Sequence, residues 1–239
     1  MKSRTRPERT MKSVTIIVPV KDEEIGLQYL LGEYRDSSLK EDYDVDFIFV
    51  IDIRSSDSSK KCASEFSDSI IDQKETTGKG AAVRQAVDLW KNETSDFIIF
   101  LDADGSYSFT AVSMILSKLS EGSDVVSGSR FLCSRGRPEG MSRLHNFGNK
   151  FLSKVSSIRN RRTITDLCTG LWGFSERALM KMEIQSGGFD LEAEIAGLAR
   201  KNGFQHHEVD VEWSQRKGGT SKLRSLTDGL IIFFRIIRT

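Results

Sequence analysis

The amino-acid sequence predicts an α/β fold, with an open and mostly parallel central sheet covered by helices on both faces. The first observation is a set of short, continuously apolar runs at 14–18, 47–51 and 97–101, which are typical of strands buried on both faces. The second is that segments with helical spacing of apolar residues separate these runs. The third is the length of 239 residues, which suits one α/β domain.

The first half of the chain contains five predicted strands and the helices between them. A strand over 14–18 precedes a helix with apolar residues at 25, 27, 30 and 31, and a strand over 47–51 precedes a helix over 55–66. A short strand over 69–71, a helix from Gly78 to Trp90 and the strand over 97–101 come next. A helix over 112–119 and a strand over 125–128 complete this half, so strands and helices alternate as in a parallel sheet.

The second half is more basic and contains more glycine-marked turns. A basic amphipathic helix is predicted over 144–158, a loop or strand over 166–174, a serine-capped helix over 175–182 and a helix over 191–202. A strand over 206–213, a cationic turn over 216–221 and an amphipathic helix over 223–237 follow. We expect residues 1–12 to form a flexible basic tail, residues 13–222 one domain and residues 223–239 a C-terminal amphipathic helix.

The distribution of charge is more informative than the net charge of +1. Basic residues concentrate in 130–162 and again in 216–239, which predicts a basic face that attracts phosphate groups on nucleic acid, lipid or a small substrate. Nucleic acid is not the expected partner, because no interleaved aromatic residues accompany these charges.

The cysteines and the apolar runs bear on location. The three cysteines, Cys62, Cys133 and Cys168, are far apart and odd in number, which favours neither a disulfide framework nor a zinc knuckle. No run approaches the roughly 20 apolar residues of a membrane span, and the N-terminus lacks the apolar stretch of a signal peptide. We therefore expect a cytoplasmic protein with peripheral contact to a membrane.

Asp102 and Asp104 follow the apolar run 97–101 directly. Residues two apart in extended chain point to the same side, so their carboxylates can together hold Mg²⁺ or Mn²⁺ beside a substrate diphosphate. The alternative is that they cap the next helix or shape the turn at Gly105.

Other polar residues also follow predicted strands, where parallel sheets bind ligands. The carboxylates in the segment from Pro19 to Glu24, and that of Asp52, can accept hydrogen bonds from a ribose or a base. The alternative is that these residues are ordinary surface acids. Lys79 lies at the start of a helix and is a reasonable neighbour for a diphosphate, although a solvated lysine is the alternative.

Several charged residues of the second half could bind an anion or serve a reaction. Arg130, Arg143 and Arg216, together with Lys217, Lys222 and Arg224, predict an anion site, because the guanidinium fork suits phosphate oxygens. Glu192 and Glu194 could lie near an acceptor or could simply complement a helix N-terminus.

Taken together, these segments make the chain resemble the family 2 glycosyltransferases with a GT-A fold, and within them the polyprenyl-phosphate or dolichol-phosphate hexose synthases. The resemblance extends from about residue 14 to the C-terminal helix and is carried by ten segments in family order. These are VTIIVPVKDEE, IDIRSSDSS, GKGAAVRQAV, FLDADGSY, VVSGSRF, MSRLHNFGN, DLCTGLWGF, FDLEAEIAGLARKNGF, HEVDVEW and RKGGTSKL.

The resemblance implies a role for each matching residue. Asp102 and Asp104 match the metal-binding pair, and with Arg130 and Arg216 they would be the catalytic residues. The positions that match the donor site are Pro19, Asp22, Glu23, Asp52, Lys79 and Asp102. The positions that match the acceptor side are Arg130, Arg143, Asp166, Gly170, Glu194, Arg216 and Lys222.

The resemblance implies an inverting transfer of a hexose from a UDP- or GDP-linked donor to a polyprenyl or dolichyl phosphate. One alternative is a soluble saccharide or protein acceptor, for which Asp166, Glu192 or Glu194 would be the base. Another is a degenerate nucleotide-binding subunit, since Ile53 and Arg54 replace a second acid and a glycine of the family, and Ser106 replaces a further metal ligand.

The C-terminal amphipathic helix could lie in a membrane interface, pack on the domain or contact a second subunit. The sequence leaves the oligomeric state open.

Overall fold

The computed structural model describes residues 11–73, 78–133, 136–222 and 226–239, and within them a seven-stranded sheet. The strands are β1 (Lys12–Val20), β2 (Tyr43–Asp52), β3 (Ile70–Gln73), β4 (Phe97–Leu101), β5 (Val125–Ser129), β6 (Leu171–Ser175) and β7 (His206–Asp210). Their order is β3-β2-β1-β4-β6-β5-β7. The pairs of β6 with β4 and β5 are antiparallel and the other pairs are parallel, so the prediction of a mostly parallel sheet is confirmed.

Helices cover both faces of this sheet. They are α1 (Glu24–Asp36), α2 (Leu39–Asp42), α3 (Ser59–Ser64), α4 (Lys79–Glu93), α5 (Phe109–Ser120), α6 (Arg143–Asn160), α7 (Glu176–Lys181), α8 (Leu191–Lys201) and α9 (Thr227–Arg238). Alternate residues of each strand enter opposite cores. Ile17 of β1 packs with α4, α8 and α9, whereas Ile16 and Val18 pack with α1 and α5.

Most predicted elements are present, with shifted ends. The helix predicted over 55–66 is shorter, since α3 begins at Ser59, after Asp57 accepts the Ser59 backbone N–H at 3.0 Å. The strand predicted over 206–213 ends at Asp210, although Trp213 still forms a bridge with Tyr107. The short helix α2 was not predicted. Lys12, expected in the tail, opens β1, and residues 1–10 lie outside the described residues.

The C-terminal helix α9 packs on the domain through one face. Ile232 and Ile236 are buried in the core shared with α4 and α8, and Arg235 forms ion pairs with Asp190 and Glu194. The opposite face of α9 is exposed, so the helix is amphipathic as predicted. The predicted start at Leu223, and Arg224 of the predicted anion site, lie outside the described residues. Across the described ranges, no helix is both long and apolar enough to cross a membrane.

Candidate active site

The carboxyl ends of β1, β2 and β4 meet at one edge of the sheet beside a cavity of about 430 Å³, which we call the donor cavity after the predicted donor-site residues that line it. Pro19, Glu23, Asp52, Lys79 and Asp102 line it, as the strand order requires. Asp22 is not among the described residues that line it. The Asp22 carboxylate instead accepts the backbone N–H of Ser56 at 2.8 Å, which ties the β1–α1 turn to the β2–α3 loop.

Asp52 is held by a neighbouring arginine. The guanidinium of Arg54 donates from Nε at 3.0 Å and from Nη2 at 2.8 Å, and the Arg54 backbone N–H donates at 2.9 Å. These hydrogen bonds, with the charge of Lys21, hold the pKa of Asp52 below its ordinary value against the effect of burial. Arg54, which departs from the family pattern, is therefore the ion-pair partner of Asp52, the residue predicted to bind the nucleoside.

Lys79 bridges two carboxylates inside the donor cavity. Its ammonium lies 2.7 Å from Oδ1 of Asp102 and 2.7 Å from Oε1 of Glu192. Burial alone would lower the pKa of Lys79, but the two carboxylates outweigh burial and raise it above the ordinary value. The helix N-terminus around Lys79 has its own partners, since the N–H groups of Gly80 and Ala81 donate to the carbonyls of Gly188 and Gly187.

Asp102 and Asp104 lie just beyond the carboxyl end of β4, and carboxylate oxygens are the ligands that a divalent cation such as Mg²⁺ prefers. Burial, together with the charge of Asp102, raises the pKa of Asp104, so the carboxylate pair is destabilised by its own repulsion. A cation between the two would relieve this repulsion. The described residues contain no cluster of three or more potential protein ligands, so two carboxylates would leave the other positions to substrate and water oxygens.

A buried acid organises the cationic turn near the C-terminus. The Glu23 carboxylate accepts hydrogen bonds from the guanidinium of Arg216 and from Nζ of Lys222, the latter at 2.7 Å. Arg216 Nη1 also lies 3.9 Å from Oδ2 of Asp104. Two predicted anion-binding residues are thus brought to the edge of the carboxylate pair by a third residue from the start of the chain.

A second cavity of about 560 Å³ adjoins the first, and we call it the acceptor cavity because Arg130 and Gly170, two of the predicted acceptor residues, line it. Its lining is largely apolar and comes from α6, α9 and nearby loops, including Met141, Leu144, Phe147, Trp213 and Leu226. The residues that line both cavities are Asp102, Asp104, Cys168, Arg216, Ser221 and Ile232. The carboxylate pair and Arg216 therefore lie where the two cavities meet.

Arg130 and Asp166 form a buried fork. Arg130 donates from Nε and Nη2 to the two oxygens of Asp166 at 2.6 and 2.7 Å, and also to the Cys168 carbonyl at 2.9 Å. Asp166 is fully buried and also accepts from Asn149 at 2.6 Å. Arg130 lines the acceptor cavity, whereas Asp166 is not among the described lining residues and holds Arg130 through these hydrogen bonds.

The remaining predicted acceptor residues are dispersed. Gly170 lines the acceptor cavity and packs so closely on Asp102 that a Cβ would lie 1.9 Å from Oδ2 of Asp102. Arg143 is exposed at the first position of α6, and neither it nor Glu194 is among the described residues that line either cavity. Glu194 accepts the backbone N–H groups of Gln185 and Ser186 and pairs with Arg235.

Sequence reasoning missed the apolar residues that line the acceptor cavity. Phe147 and Leu226 are separated by 79 positions and converge because α6 and α9 pack side by side. The amphipathic pattern of both helices was a usable signal. Cys168 was also missed as a cavity residue, and burial raises the pKa of its thiol to about 12, so the thiol is neutral near pH 7.

Comparison with known proteins supplies independent findings. The family model described as glycosyl transferase family 2 matches residues 15–182. Glycosyltransferase AglJ from Haloferax volcanii is 29% identical over 230 residues, which cover 96% of this chain and 72% of that protein. Polyprenol monophosphomannose synthase from Mycolicibacterium smegmatis is 24% identical over 228 residues, covering 90% of this chain and 82% of that one.

A solved structure has the same fold. Glucosyl-3-phosphoglycerate synthase from Mycobacterium tuberculosis, in complex with Mn²⁺, uridine diphosphate and phosphoglyceric acid, superposes with a TM-score of 0.69. The match covers 98% of this chain and 82% of that one at 15% sequence identity, so the similarity concerns the fold.

Proposed function

This chain belongs to glycosyl transferase family 2, and from that premise we propose that it transfers a hexose from a UDP- or GDP-linked donor to a polyprenyl or dolichyl phosphate, with inversion. The observation that carries the proposal is that a cavity rich in charged lining residues and a largely apolar cavity meet at Asp102, Asp104 and Arg216. One cavity suits a nucleotide sugar, and the other suits an isoprenoid chain with its phosphate at the junction. The relative named as a polyprenol monophosphomannose synthase supports this choice of acceptor.

The donor would lie along the ends of β1, β2 and β4. Pro19 and the Asp52–Arg54 pair would contact the nucleoside, and Lys79 would approach the diphosphate. Asp102 and Asp104 would hold Mg²⁺ or Mn²⁺, a choice supported by the Mn²⁺ complex of the structural relative. When bound, the cation supplies neutralisation of the charge that develops on the leaving diphosphate.

The acceptor phosphate would bind at the junction beside Arg216, with Lys222 of the donor cavity next to it on the same Glu23 carboxylate. A phosphate monoester has a second pKa near ~6, so its oxygen is already ionised at pH 7 and needs no strong protein base. That oxygen bonds to the anomeric carbon from the face opposite the leaving group, while the carbon–oxygen bond to the diphosphate breaks and its electron pair leaves with the diphosphate. The chain contributes position and charge rather than proton transfer.

The carboxylates of the site agree with a phosphate acceptor. Among the described residues that line the acceptor cavity, the carboxylates are Asp102 and Asp104, which we assign to the cation. The candidate bases for a soluble acceptor are each held in an ion pair: Asp166 with Arg130, Glu192 with Lys79 and Glu194 with Arg235. We therefore assign Arg130 and Asp166 to positioning the loop that carries Gly170.

The exposed faces of α6 and α9 support contact with a membrane. Phe151 of α6 and Phe233 of α9 stack at 6.3 Å, so the two helices form one surface, which we call the apolar face. Its exposed apolar side chains include Leu144, Phe147, Phe151, Leu230, Phe234 and Ile237, and exposed Lys150 and Lys154 lie on α6. Because Leu144 and Phe147 also line the acceptor cavity, a lipid could enter it from this face.

The deciding experiment measures transfer from a panel of UDP- and GDP-sugars to a polyprenyl phosphate, with Mn²⁺ or Mg²⁺ and with chelator as control. We expect a sugar–lipid product from one donor, and its loss on chelation. Donor hydrolysis without lipid product would refute the lipid acceptor and favour a soluble one. In that case His145→Asn would test the histidine that lines the acceptor cavity as a base. Binding of a nucleotide without turnover would favour the degenerate subunit.

A further inference from the structure

Lys79 and Asp102 form an ion pair in the donor cavity, although the proposed function makes Asp102 a metal ligand. The ammonium lies 2.7 Å from Asp102 Oδ1, within the space that a cation on that oxygen would need. On its other side it lies 2.7 Å from Glu192, whose side chain is only 9% exposed. Asp102 is 32% exposed and faces both cavities, so its side of the pair is accessible.

The backbone on either side of Lys79 packs closely against the 187–188 segment. Gly78 has a φ of +123°, and a Cβ there would lie 2.3 Å from the Gly187 carbonyl oxygen. The next N–H groups donate to the 187–188 carbonyls at 3.2 and 3.1 Å. Since these N–H groups are occupied, a diphosphate in the donor cavity would meet the Lys79 ammonium rather than the helix N-terminus.

We propose that Lys79 is an exchangeable counterion of Asp102, which occupies one carboxylate oxygen in the free protein and moves to the donor diphosphate when donor and metal bind. This inference rests on the proposed function, because it takes Asp102 as a metal ligand. Glu192 is a positioning residue that keeps the ammonium within reach of both partners. A divalent cation alone must displace the ammonium, so it binds weakly, and metal and nucleotide favour each other's binding.

The test compares two affinities that Lys79 should move in opposite directions. Binding of Mn²⁺ without nucleotide is measured from the electron paramagnetic resonance signal of the free ion. Binding of UDP or GDP without metal is measured by calorimetry. Lys79→Met should bind Mn²⁺ at least about tenfold more tightly, since a partly buried ion pair no longer competes, and should bind the nucleotide about tenfold more weakly.

Lys21→Met is the matched control. Lys21 lines the same cavity but lies 3.7 Å from Asp52 rather than beside Asp102, so its loss changes charge without freeing the metal ligand. Its Mn²⁺ affinity should stay within about twofold of the wild type. The proposal would be overturned by an equal gain of Mn²⁺ affinity in Lys21→Met, or by no gain of Mn²⁺ affinity in Lys79→Met.

A second variant covers the case in which Lys79→Met does not fold, because that change leaves Glu192 buried without its cation. Lys79→Met/Glu192→Gln should bind Mn²⁺ at least about tenfold more tightly than Glu192→Gln alone. Equal affinities in that pair also overturn the proposal. If the wild type binds metal and nucleotide but makes no lipid product, the proposed function fails while the Mn²⁺ titrations still decide the role of Lys79.

Discussion

At the scale of single residues, Asp102 and Asp104 differ although they are two positions apart. Asp102 forms an ion pair with Lys79, whereas Asp104 lies 3.9 Å from Arg216, and burial and the charge of Asp102 raise its pKa. Folding therefore tolerates the charge of Asp104 at a cost, which is typical of a residue kept for function rather than for stability.

Replacement of Asp104 should separate activity from stability. Asp104→Asn keeps an acceptor for the Ser106 N–H, which now donates to Oδ1 at 3.0 Å, but removes the charge. We expect metal-dependent transfer to fall at least about 100-fold. The melting temperature should stay constant or rise, because the repulsion with Asp102 is lost.

The matched control is Asp72→Asn, at the end of β3 but exposed and paired with Lys60. Its transfer rate should remain within about twofold of the wild type. Full activity of Asp104→Asn would refute the metal assignment.

The fork between Arg130 and Asp166 should matter for stability. Asp166→Ala leaves a nearly buried guanidinium without its carboxylate, so we expect the free energy of unfolding to fall by about 3–5 kcal/mol. Urea titration measures this change. Lys60→Met breaks an exposed ion pair instead and should change stability by less than about 1 kcal/mol. Similar losses in the two variants would contradict the structural role assigned to the fork.

At the scale of elements, α6 and α9 combine two functions. Their inner residues, such as Leu152, Ile232 and Ile236, enter the core, and Leu152 and Ile232 also line the acceptor cavity. Their outer residues form the apolar face. Of the alternatives left by the amphipathic pattern of α9, packing on the domain is observed on one side of the helix. The other side still exposes apolar residues, so contact with a membrane stays a prediction.

The apolar face should bind vesicles that contain anionic lipid. Phe234 is 54% exposed and does not belong to the described lining of the acceptor cavity. Phe234→Ser should weaken vesicle binding by about tenfold, the effect of leaving one aromatic ring out of the bilayer interface. Co-sedimentation measures the affinity.

The control for this surface is Met114→Ser. Met114 is 41% exposed and belongs to α5, a helix that packs against the opposite face of the sheet. Its vesicle affinity should be unchanged. Equal weakening by the two substitutions, or no binding by the wild type, would refute the assignment of the apolar face.

At the scale of the whole molecule, the stability of the fold should depend on the charge state of one histidine. His206 of β7 lies 2.9 Å from the Ser127 hydroxyl through Nε2 and stacks on Trp172 at 5.2 Å. Burial, followed by the charge of Arg162, lowers the pKa of His206 to about 3 from its ordinary 6.5. At a pH between these two values, the unfolded chain therefore binds a proton that the folded chain does not bind.

The sign of the pH dependence follows from this difference. Stability should fall as the pH falls from about 6.5 towards about 3, with a contribution from His206 that approaches about 1.4 kcal/mol per pH unit. Urea unfolding of the wild type and of His206→Gln between pH 7 and pH 5 measures it. The variant should show the shallower dependence, and identical slopes would contradict the prediction.

The fold and the residues that line the donor cavity were predictable because their signals are local. Continuous apolar runs defined β1, β2 and β4, and a parallel sheet brings strand ends to one edge, so Pro19, Asp52 and Asp102 could be placed together. The predicted acceptor residues were harder to place. The charge of Glu194 gives no indication that two backbone N–H groups and Arg235 hold it away from the cavities.

The sequence by itself determined the class of fold, the family and the residues at the strand ends, because these depend on apolar periodicity and on short contiguous motifs. Only the tertiary structure decided which charges are paired, since Lys79 with Glu192, Arg130 with Asp166 and Glu23 with Lys222 join positions 36 or more apart. It also decided that α6 and α9 enclose an apolar cavity. Such partners are selected by packing around the sheet, and packing depends on the whole chain at once.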